Sequence, residues 1–324
     1  MTISKRALIV GINGYDHFHP LSGCVPDAEE MAKVLSRNSD ESINFECRLV
    51  TSPGLDRVTK AFLRQKWREL FQHFRDDLLF YFSGHGTPTE IGGCIVTQDG
   101  EPDDPGLPMA EVVDMANNSS ARNVLLILDC CFSGGAGNPV GLQGGGLENR
   151  ALLREGVTVL AASRPTELSL EIGYHGVFTD LVLAALRGGA ADVRGRVSAA
   201  SIYAFVESAL GAWSQRPLYK SYAAHLGPVR ICEPKVQDSL IRELPKYFSC
   251  PDRQYPLDMS YEETSDSADP KHVEIFKKFK RLQIGGLLRP VAGDDLFWTA
   301  NKGGSVVLTG LGQFYLQLVN DGRI

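Results

Sequence analysis

The sequence predicts an α/β protein in which a mostly parallel sheet lies between two layers of helices, a three-layer sandwich. Short apolar runs alternate along the chain with stretches whose apolar residues recur at helical spacing. The central runs are continuously apolar, as is typical of strands buried on both faces. Such an alternation of strands and helices is typical of a parallel sheet covered by helices on both sides.

Each element of the sandwich has its own signal in the sequence. The first five strands are apolar runs bounded by Gly, Asn, Asp or Ser, at residues 7–10, 45–50, 78–82, 124–128 and 157–160, and a final strand is expected at 229–232. The helices are expected where apolar residues follow helical spacing, at residues 27–35, 57–74, 109–115, 177–187 and 198–213. Together these elements predict one large domain over residues 1–235.

The C-terminal part of the chain predicts a small, separate α+β module of the winged-helix type. Apolar residues between 275 and 282 share one helical face, residues 296–308 have the pattern of a hairpin around a Gly-Gly turn, and residues 311–318 carry a second helical stripe. Residues 236–270 are polar and contain proline, so we expect a linker there. The winged-helix-like module then covers residues 271–324.

Composition disfavours several classes of protein. Seven cysteines, an odd number without close paired spacing, argue against a disulfide framework and indicate a reducing compartment. No long apolar run or secretory signal is present, so we expect a cytoplasmic protein with no membrane partner. The net charge of −6 makes nucleic acid an improbable partner. We interpret the basic run at 277–281 as the solvated face of a helix.

Two polar motifs follow neighbouring buried strands. The sequence SGHG at residues 83–86 contains His85, and DCCFSG at residues 129–134 contains Cys130 and Cys131. Functional groups of such sheets usually lie at the carboxyl ends of the strands, so these side chains are expected at one edge. A thiolate beside an imidazolium is the minimum equipment for covalent attack on a carbonyl, and the pair predicts a cysteine protease. The alternation of side chains along a strand leaves the choice between the two cysteines open.

The motifs YFSGHG and DCCFSG resemble the histidine and cysteine motifs of the caspase-like peptidases, nearest to the metacaspases and their bacterial, orthocaspase-like relatives. His85 and Cys131 are 46 residues apart, close to the separation expected for caspases. Further segments that resemble metacaspases are ALIVGIN at 7–13, LSGCVPDA at 21–28, AASRP at 161–165 and GVFT at 176–179. The resemblance covers residues 5–233 and implies a caspase-like fold.

The resemblance also assigns roles. It implies that Cys131, rather than Cys130, is the nucleophile and that His85 is the general acid and base. The N–H groups of Gly86 and Cys131 would form the oxyanion hole. Asp27 and Asp129 would line the pocket for the residue before the cleaved bond, with Cys24 and Ser83 alongside.

Two carboxylates in such a pocket select a cation, and a guanidinium can bind a carboxylate through two hydrogen bonds. We therefore expect cleavage after arginine, or after lysine. The alternative for Asp27 is that it merely caps the helix beginning there.

The sequence also contains candidate sites for self-cleavage and for calcium. The glycine-rich stretch 133–156 predicts a mobile, cleavable loop, and Arg150 and Arg154 are the self-cleavage sites that an arginine-directed protease would have there. No cofactor is expected to be required. Many metacaspases need calcium, and Asp99, Asp103 and Asp104 are the weak calcium candidates of an acidic loop.

The resemblance implies protein substrates and an upstream activator or regulatory partner, in a bacterial pathway of stress, antiviral defence or cell death. Two other classes of function compete with proteolysis. One is a catalytically silent caspase-like adaptor. The other is a regulator that binds DNA or a partner protein through its C-terminal module.

Overall fold

The computed structural model describes residues 5–72, 76–89, 92–130, 153–162, 171–172, 175–210, 217–222, 227–293 and 295–324. The chain divides into two compact units, the first formed by Met1–Ala191 and Val197–Cys232 and the second by Asp192–Arg196 and Glu233–Ile324. Within the described ranges, no helix combines the length and the apolar character needed to cross a membrane.

The first unit is built on alternating strands and helices. Its strands are β1 (Lys5–Ile12), β2 (Glu46–Ser52), β3 (Asp77–Ser83), β4 (Gly86–Thr89), β5 (Gly92–Glu101), β6 (Asp104–Pro108), β7 (Asn123–Asp129), β8 (Val157–Ala161), β9 (Glu171–Ile172), β10 (His175–Gly176), β11 (Arg196–Val197), β12 (Leu218–Tyr222) and β13 (Arg230–Ile231), and the boundary with the second unit falls within β11. Its helices are α1 (Cys24–Ser36), α2 (Lys60–Phe71), α3 (Met109–Asn118), α4 (Val177–Ala184) and α5 (Ala199–Leu210). A π-helical turn, Ala185–Gly189, follows α4.

The main sheet has six strands in the order β12-β8-β7-β3-β1-β2. All neighbours are parallel except β12, which pairs antiparallel with β8. The predicted α/β class with a mostly parallel sheet is thus confirmed. In the register of β1, β3 and β7, Ser83 lies opposite both Gly11 and Asp129, so the three strands end together. This aligned edge is where the two polar motifs begin.

The two faces of the sheet belong to two separate hydrophobic cores. Phe80 and Phe82 of β3 pack on one side with Trp67 of α2, whereas Leu79 and Tyr81 pack on the other side with residues of α1, α4 and α5. This alternation follows from the period of two in a strand. Layers of helices therefore cover both faces, as predicted for a three-layer sandwich.

Two parts of the first unit differ from the elements predicted from the sequence. Strands β4, β5 and β6 form a three-stranded antiparallel sheet directly after the histidine motif. The edge strand β12 was also missed, while the expected final strand at 229–232 is only the two-residue β13.

The second unit contains α6 (Asp238–Ile241), α7 (Leu244–Tyr247), β14 (Tyr255–Pro256), α8 (Pro270–Ile284), β15 (Leu288–Pro290), α9 (Leu296–Asn301), β16 (Ser305–Leu308) and α10 (Gly310–Asn320). Its strands form one sheet in the order β14-β16-β15. Residues 236–270 are expected from the sequence to form a linker, but they belong to the folded unit. Leu244 and Phe248 are fully buried in its core.

The hairpin expected at 296–308 is also replaced by a different structure. Leu296–Asn301 is helix α9, and Asp295 caps it by accepting a hydrogen bond from the backbone N–H of Trp298 at 3.0 Å. Strand β16 pairs antiparallel with β15 and β14 instead. The wing on which the winged-helix expectation depended is therefore absent from residues 296–308.

The basic residues of α8 pair with acidic side chains of the same unit. The pairs join Lys277 to Glu263 at 3.0 Å, Lys278 to Glu243 at 2.9 Å and Lys280 to Glu262 at 3.9 Å. These contacts offset the positive charge that a DNA-binding helix would present to phosphate.

Candidate active site

His85 lies just beyond the carboxyl end of β3 and is held by the loop that follows β1. Its backbone N–H donates to the Tyr15 hydroxyl at 2.7 Å, and its ring Nε2 lies 2.8 Å from the carbonyl oxygen of His19. A carbonyl oxygen only accepts, so Nε2 carries the hydrogen and Nδ1 holds the lone pair of the neutral ring. His85 is therefore presented as a base at Nδ1.

Tyr15 also packs its ring against His85, with 4.8 Å between the ring centroids. The pKa of the Tyr15 hydroxyl is raised well above its ordinary value, mainly because the hydroxyl is buried. The neutral hydroxyl can therefore accept from the His85 backbone throughout the physiological pH range. Tyr15 therefore fixes both the backbone and the ring of His85, and it is not among the site residues predicted from the sequence.

Helix α1 brings Asp27 to the same edge of the sheet. The side-chain Oδ1 of Asn13 accepts from the backbone N–H groups of Cys24 at 2.9 Å and Val25 at 3.2 Å, and so it caps α1 from the end of β1. The interpretation of Asp27 as the cap of this helix is wrong. Close contact sets the position of α1, since a Cβ on Gly11 would lie 2.3 Å from the carbonyl oxygen of Cys24.

Asp27 and Asp129 are both buried, with 2% of each residue exposed. Asp27 Oδ2 accepts from the Ser83 hydroxyl at 3.2 Å and lies 3.5 Å from the backbone nitrogen of Gly176. Asp129 Oδ2 accepts from the Thr179 hydroxyl at 2.7 Å. Hydrogen bonds of this kind offset part of the cost of burying a carboxylate.

Tyr81 shows that the two acids share one environment. Burial raises the pKa of its phenol well above the ordinary value, and the negative charges of Asp27 and Asp129 raise it further. Both carboxylates must lie near this phenol to have that effect. The structure thus brings together three of the predicted pocket residues, Asp27, Ser83 and Asp129. The fourth, Cys24, is partly exposed at the first position of α1.

Cys131, the predicted nucleophile, lies outside the described residues, as does its predicted oxyanion N–H. Its neighbour Cys130 is 1% exposed and belongs to the hydrophobic core that contains Phe82. Burial raises the pKa of Cys47 to about 12 and of Cys94 to about 11, so both remain thiols at neutral pH. Gly86, the other predicted oxyanion donor, is the first residue of β4 and directly follows His85.

Two of the three weak calcium candidates, Asp99 and Asp104, have structural partners. Asp99 Oδ1 accepts from the backbone N–H of Lys60 at 2.9 Å and from the Thr97 hydroxyl at 2.7 Å. Asp104 pairs with the Lys60 ammonium group, and Asp103 is exposed. Across the described ranges, no three His, Cys, Asp or Glu side chains converge as metal ligands. These contacts show Asp99 and Asp104 fixing the start of α2.

Of the two predicted self-cleavage sites, Arg150 lies outside the described residues and Arg154 lies inside them. Leu153 packs against the first core, so the final residues of the loop expected at 133–156 are fixed in place. The backbone N–H of Arg154 donates to Asn117 Oδ1 (3.0 Å). Its guanidinium donates to Ala116 O (3.2 Å), Ser119 Oγ (2.9 Å) and Ala121 O (2.8 Å), at and just beyond the end of α3.

Among known proteins, the chain is similar to metacaspases. The chain is similar to Metacaspase-7 of Arabidopsis thaliana, with 32% identity over 147 residues, 41% of this chain and 36% of that protein. It is 30% identical to Metacaspase-6 of the same organism over 148 residues, 41% of this chain and 39% of that protein. The matches thus span well under half the length of these relatives.

Among solved structures, caspase-1 from Spodoptera frugiperda superposes with a TM-score of 0.49 at 14% identity, covering 71% of this chain and 91% of that one. Residues 4–225 match the family model described as Caspase domain. Since that match spans more than half of the 324 residues, the chain belongs to the caspase-domain peptidase family.

Proposed function

We propose that this chain is a cysteine endopeptidase that cleaves proteins after arginine, or after lysine, through a dyad of Cys131 and His85. A caspase-family domain indicates a cysteine protease. One observation carries the finer proposal: His85, with its base atom Nδ1, follows β3 at the edge of the sheet where Asp129 ends β7 and where Asp27 accepts from Ser83, the last residue of β3. Both carboxylates are buried. A role in bacterial stress, defence or cell death belongs to the same proposal and rests on the family resemblance.

In the proposed reaction, Nδ1 of His85 takes the thiol proton of Cys131, and the thiolate attacks the carbonyl carbon of the substrate. The N–H groups of Gly86 and Cys131 stabilise the oxyanion. His85 then gives its proton to the leaving amine, and later activates the water that hydrolyses the thioester. Throughout, Nε2–H keeps its hydrogen bond to the His19 carbonyl, which holds the ring in place and stabilises its charged form.

The proposed specificity follows from charge. Asp27 and Asp129 supply two negative charges in a buried environment, where a substrate cation gains more from each carboxylate than it would in water. A planar guanidinium can bind a carboxylate through two parallel hydrogen bonds, whereas an ammonium acts as a compact point charge. We therefore expect arginine to be preferred over lysine.

Mapping the cleaved bonds tests this function. A peptide library is incubated with the wild-type chain and with the Cys131→Ala variant, and the products are identified by mass spectrometry. We expect cuts after arginine and lysine that depend on Cys131. Cuts after aspartate, or cuts that persist in the variant, would contradict the proposal, and partner binding that persists without any cleavage would favour the adaptor function.

Self-processing is part of the same proposal, and the contacts of Arg154 favour Arg150 as the cleavage site. Cleavage after Arg154 would require its four contacts with the end of α3 to break first. We expect Arg150→Ala to prevent self-cleavage. Arg154→Ala should still be cut after residue 150 but lose about 1–3 kcal/mol of unfolding free energy, since buried acceptors lose their donor.

The measurement combines intact mass, N-terminal sequencing of the fragments and thermal unfolding, with Cys131→Ala as the uncleaved control. A fragment that begins at Glu155 would show that Arg154 is the site and that its contacts do not protect it.

A further inference from the structure

A chain of two short hydrogen bonds leads from Tyr81 through Thr179 to Asp129. The Tyr81 and Thr179 hydroxyl oxygens are 2.7 Å apart, and Thr179 Oγ1 lies 2.7 Å from Asp129 Oδ2. Tyr81 and Thr179 are fully buried, and Asp129 is 2% exposed. The three residues come from three elements, namely β3, α4 and the end of β7.

Chemistry sets the direction of both hydrogen bonds. A carboxylate only accepts, so Thr179 uses its single proton for Asp129 and must accept from Tyr81. Burial and the nearby carboxylates raise the pKa of the Tyr81 phenol, so Tyr81 keeps the proton that it donates. Hydrogen bonds in such a chain polarise one another, which strengthens the contact to the carboxylate.

The position of Thr179 is itself well determined. It lies in the first turn of α4, next to Phe178, which is 4% exposed, and near Val182, which is fully buried in the second core. The residue before the helix, Gly176, places its backbone nitrogen 3.5 Å from Asp27 Oδ2. The start of α4 therefore contacts both acidic residues of the proposed pocket.

Holding one oxygen of a carboxylate fixes the plane of the whole group. The plane matters for a guanidinium, which is rigid and matches a carboxylate only when the two groups are coplanar. It matters much less for an ammonium, which can rotate its donors toward any accessible oxygen. The orientation of Asp129 is thus a means of discriminating between two cations of equal charge.

We propose that Thr179, supported by Tyr81, is a positioning residue that orients Asp129 and thereby gives the chain a preference for arginine over lysine before the cleaved bond. The inference rests on the function proposed above and deepens it. Thr179 is the last residue of the GVFT segment at 176–179, one of the segments that resemble metacaspases.

The test compares Thr179→Val, Thr179→Ser and Tyr81→Phe with the wild-type chain. Thr158→Val is the matched control, because the Thr158 hydroxyl also lies 2.7 Å from another hydroxyl, that of Ser221, but on strand β8. kcat and KM are measured for peptides that differ only in arginine, lysine or citrulline, the uncharged analogue of arginine, before the cleaved bond. Thermal unfolding checks that each variant is folded.

For Thr179→Val we expect the KM of the arginine peptide to rise roughly 10-fold, and the arginine-to-lysine ratio of kcat/KM to fall by about the same factor. Thr179→Ser should restore the ratio, Tyr81→Phe should lower it by about 3-fold, and Thr158→Val should leave it unchanged. The two conservative variants, Thr179→Ser and Tyr81→Phe, carry the test if the valine variant does not fold.

An unchanged ratio in folded Thr179→Val and Tyr81→Phe would overturn the inference. An equal loss of kcat for all peptides would also overturn it, since that is the result of a merely structural role. A wild-type chain that does not cut after arginine or lysine would refute the function itself, and that outcome is visible before any variant is made.

Discussion

We expect the Cys131→Ala variant to lose at least about 1,000-fold in kcat/KM on every peptide that the wild-type chain cleaves. The proposed covalent intermediate forms only on the sulfur of Cys131, so removing that sulfur removes the intermediate. His85→Ala should lose activity on a similar scale, because the thiol then lacks its base and the leaving amine lacks its acid. Initial rates on the best arginine peptide measure both losses.

The neighbouring cysteine provides the control for this prediction. Cys130 is buried in the first hydrophobic core, so it cannot reach a substrate without local unfolding. We expect Cys130→Ala to keep kcat/KM within a few-fold and to lose about 1 kcal/mol of unfolding free energy, the usual cost of removing a small buried group. If instead Cys130→Ala were inactive and Cys131→Ala active, the assignment from the family motif would be reversed.

The sequence predicts the buried strands of the fold well because burial on both faces leaves a continuous apolar signal. Strands β3 and β7 carry such runs, and each extends only one residue beyond its predicted range at either end. The edge strand β12 has the sequence LYKSY and is only partly buried, so it has no comparable signal. An edge strand pairs on one side only and needs fewer apolar residues.

The errors in the second unit come from local patterns that two structures share. The pattern of residues 296–300 predicts the first strand of a hairpin and residues 301–304 its turn, whereas Leu296–Asn301 is helix α9. Asp295 is in fact a helix N-cap, and Gly303, with a φ of +63°, lies just after the helix ends. Glycine with positive φ is common at both hairpin turns and helix ends, so spacing could not separate the two.

The supporting residues of the candidate site were harder to predict than the acids. The resemblance indicated Asp27, Ser83 and Asp129, which the structure places together. It gave no role to Tyr15, which is 70 residues from its partner His85, or to Thr179, which is 50 residues from Asp129.

One signal was available in the sequence for Tyr81. The Tyr81 hydroxyl is a polar group in an otherwise apolar, buried strand, and a buried hydroxyl requires a hydrogen-bond partner. The partner itself could not be identified from the sequence, because it comes from another element.

The charge of the two buried acids can be removed without changing their shape. We expect Asp129→Asn and Asp27→Asn each to lower kcat/KM on an arginine peptide by roughly 10- to 100-fold, since each removes a charge-assisted hydrogen bond to the substrate cation. The amide oxygen of asparagine can still accept from Thr179 or Ser83, so the change tests charge rather than packing. The citrulline peptide should lose far less, because it carries no charge.

Asp180→Asn is the matched control for these variants. Asp180 lies beside Thr179 in the first turn of α4 but is partly exposed, so its charge is screened by solvent. We expect it to leave the arginine-to-citrulline ratio of kcat/KM unchanged. Equal losses on both peptides in Asp27→Asn and Asp129→Asn would mean that the acids support the fold of the site without reading the substrate. A ratio that collapses only in these two variants would instead show that their charges select the cation, because the shape of each side chain and the oxygen that accepts from Ser83 or Thr179 are retained.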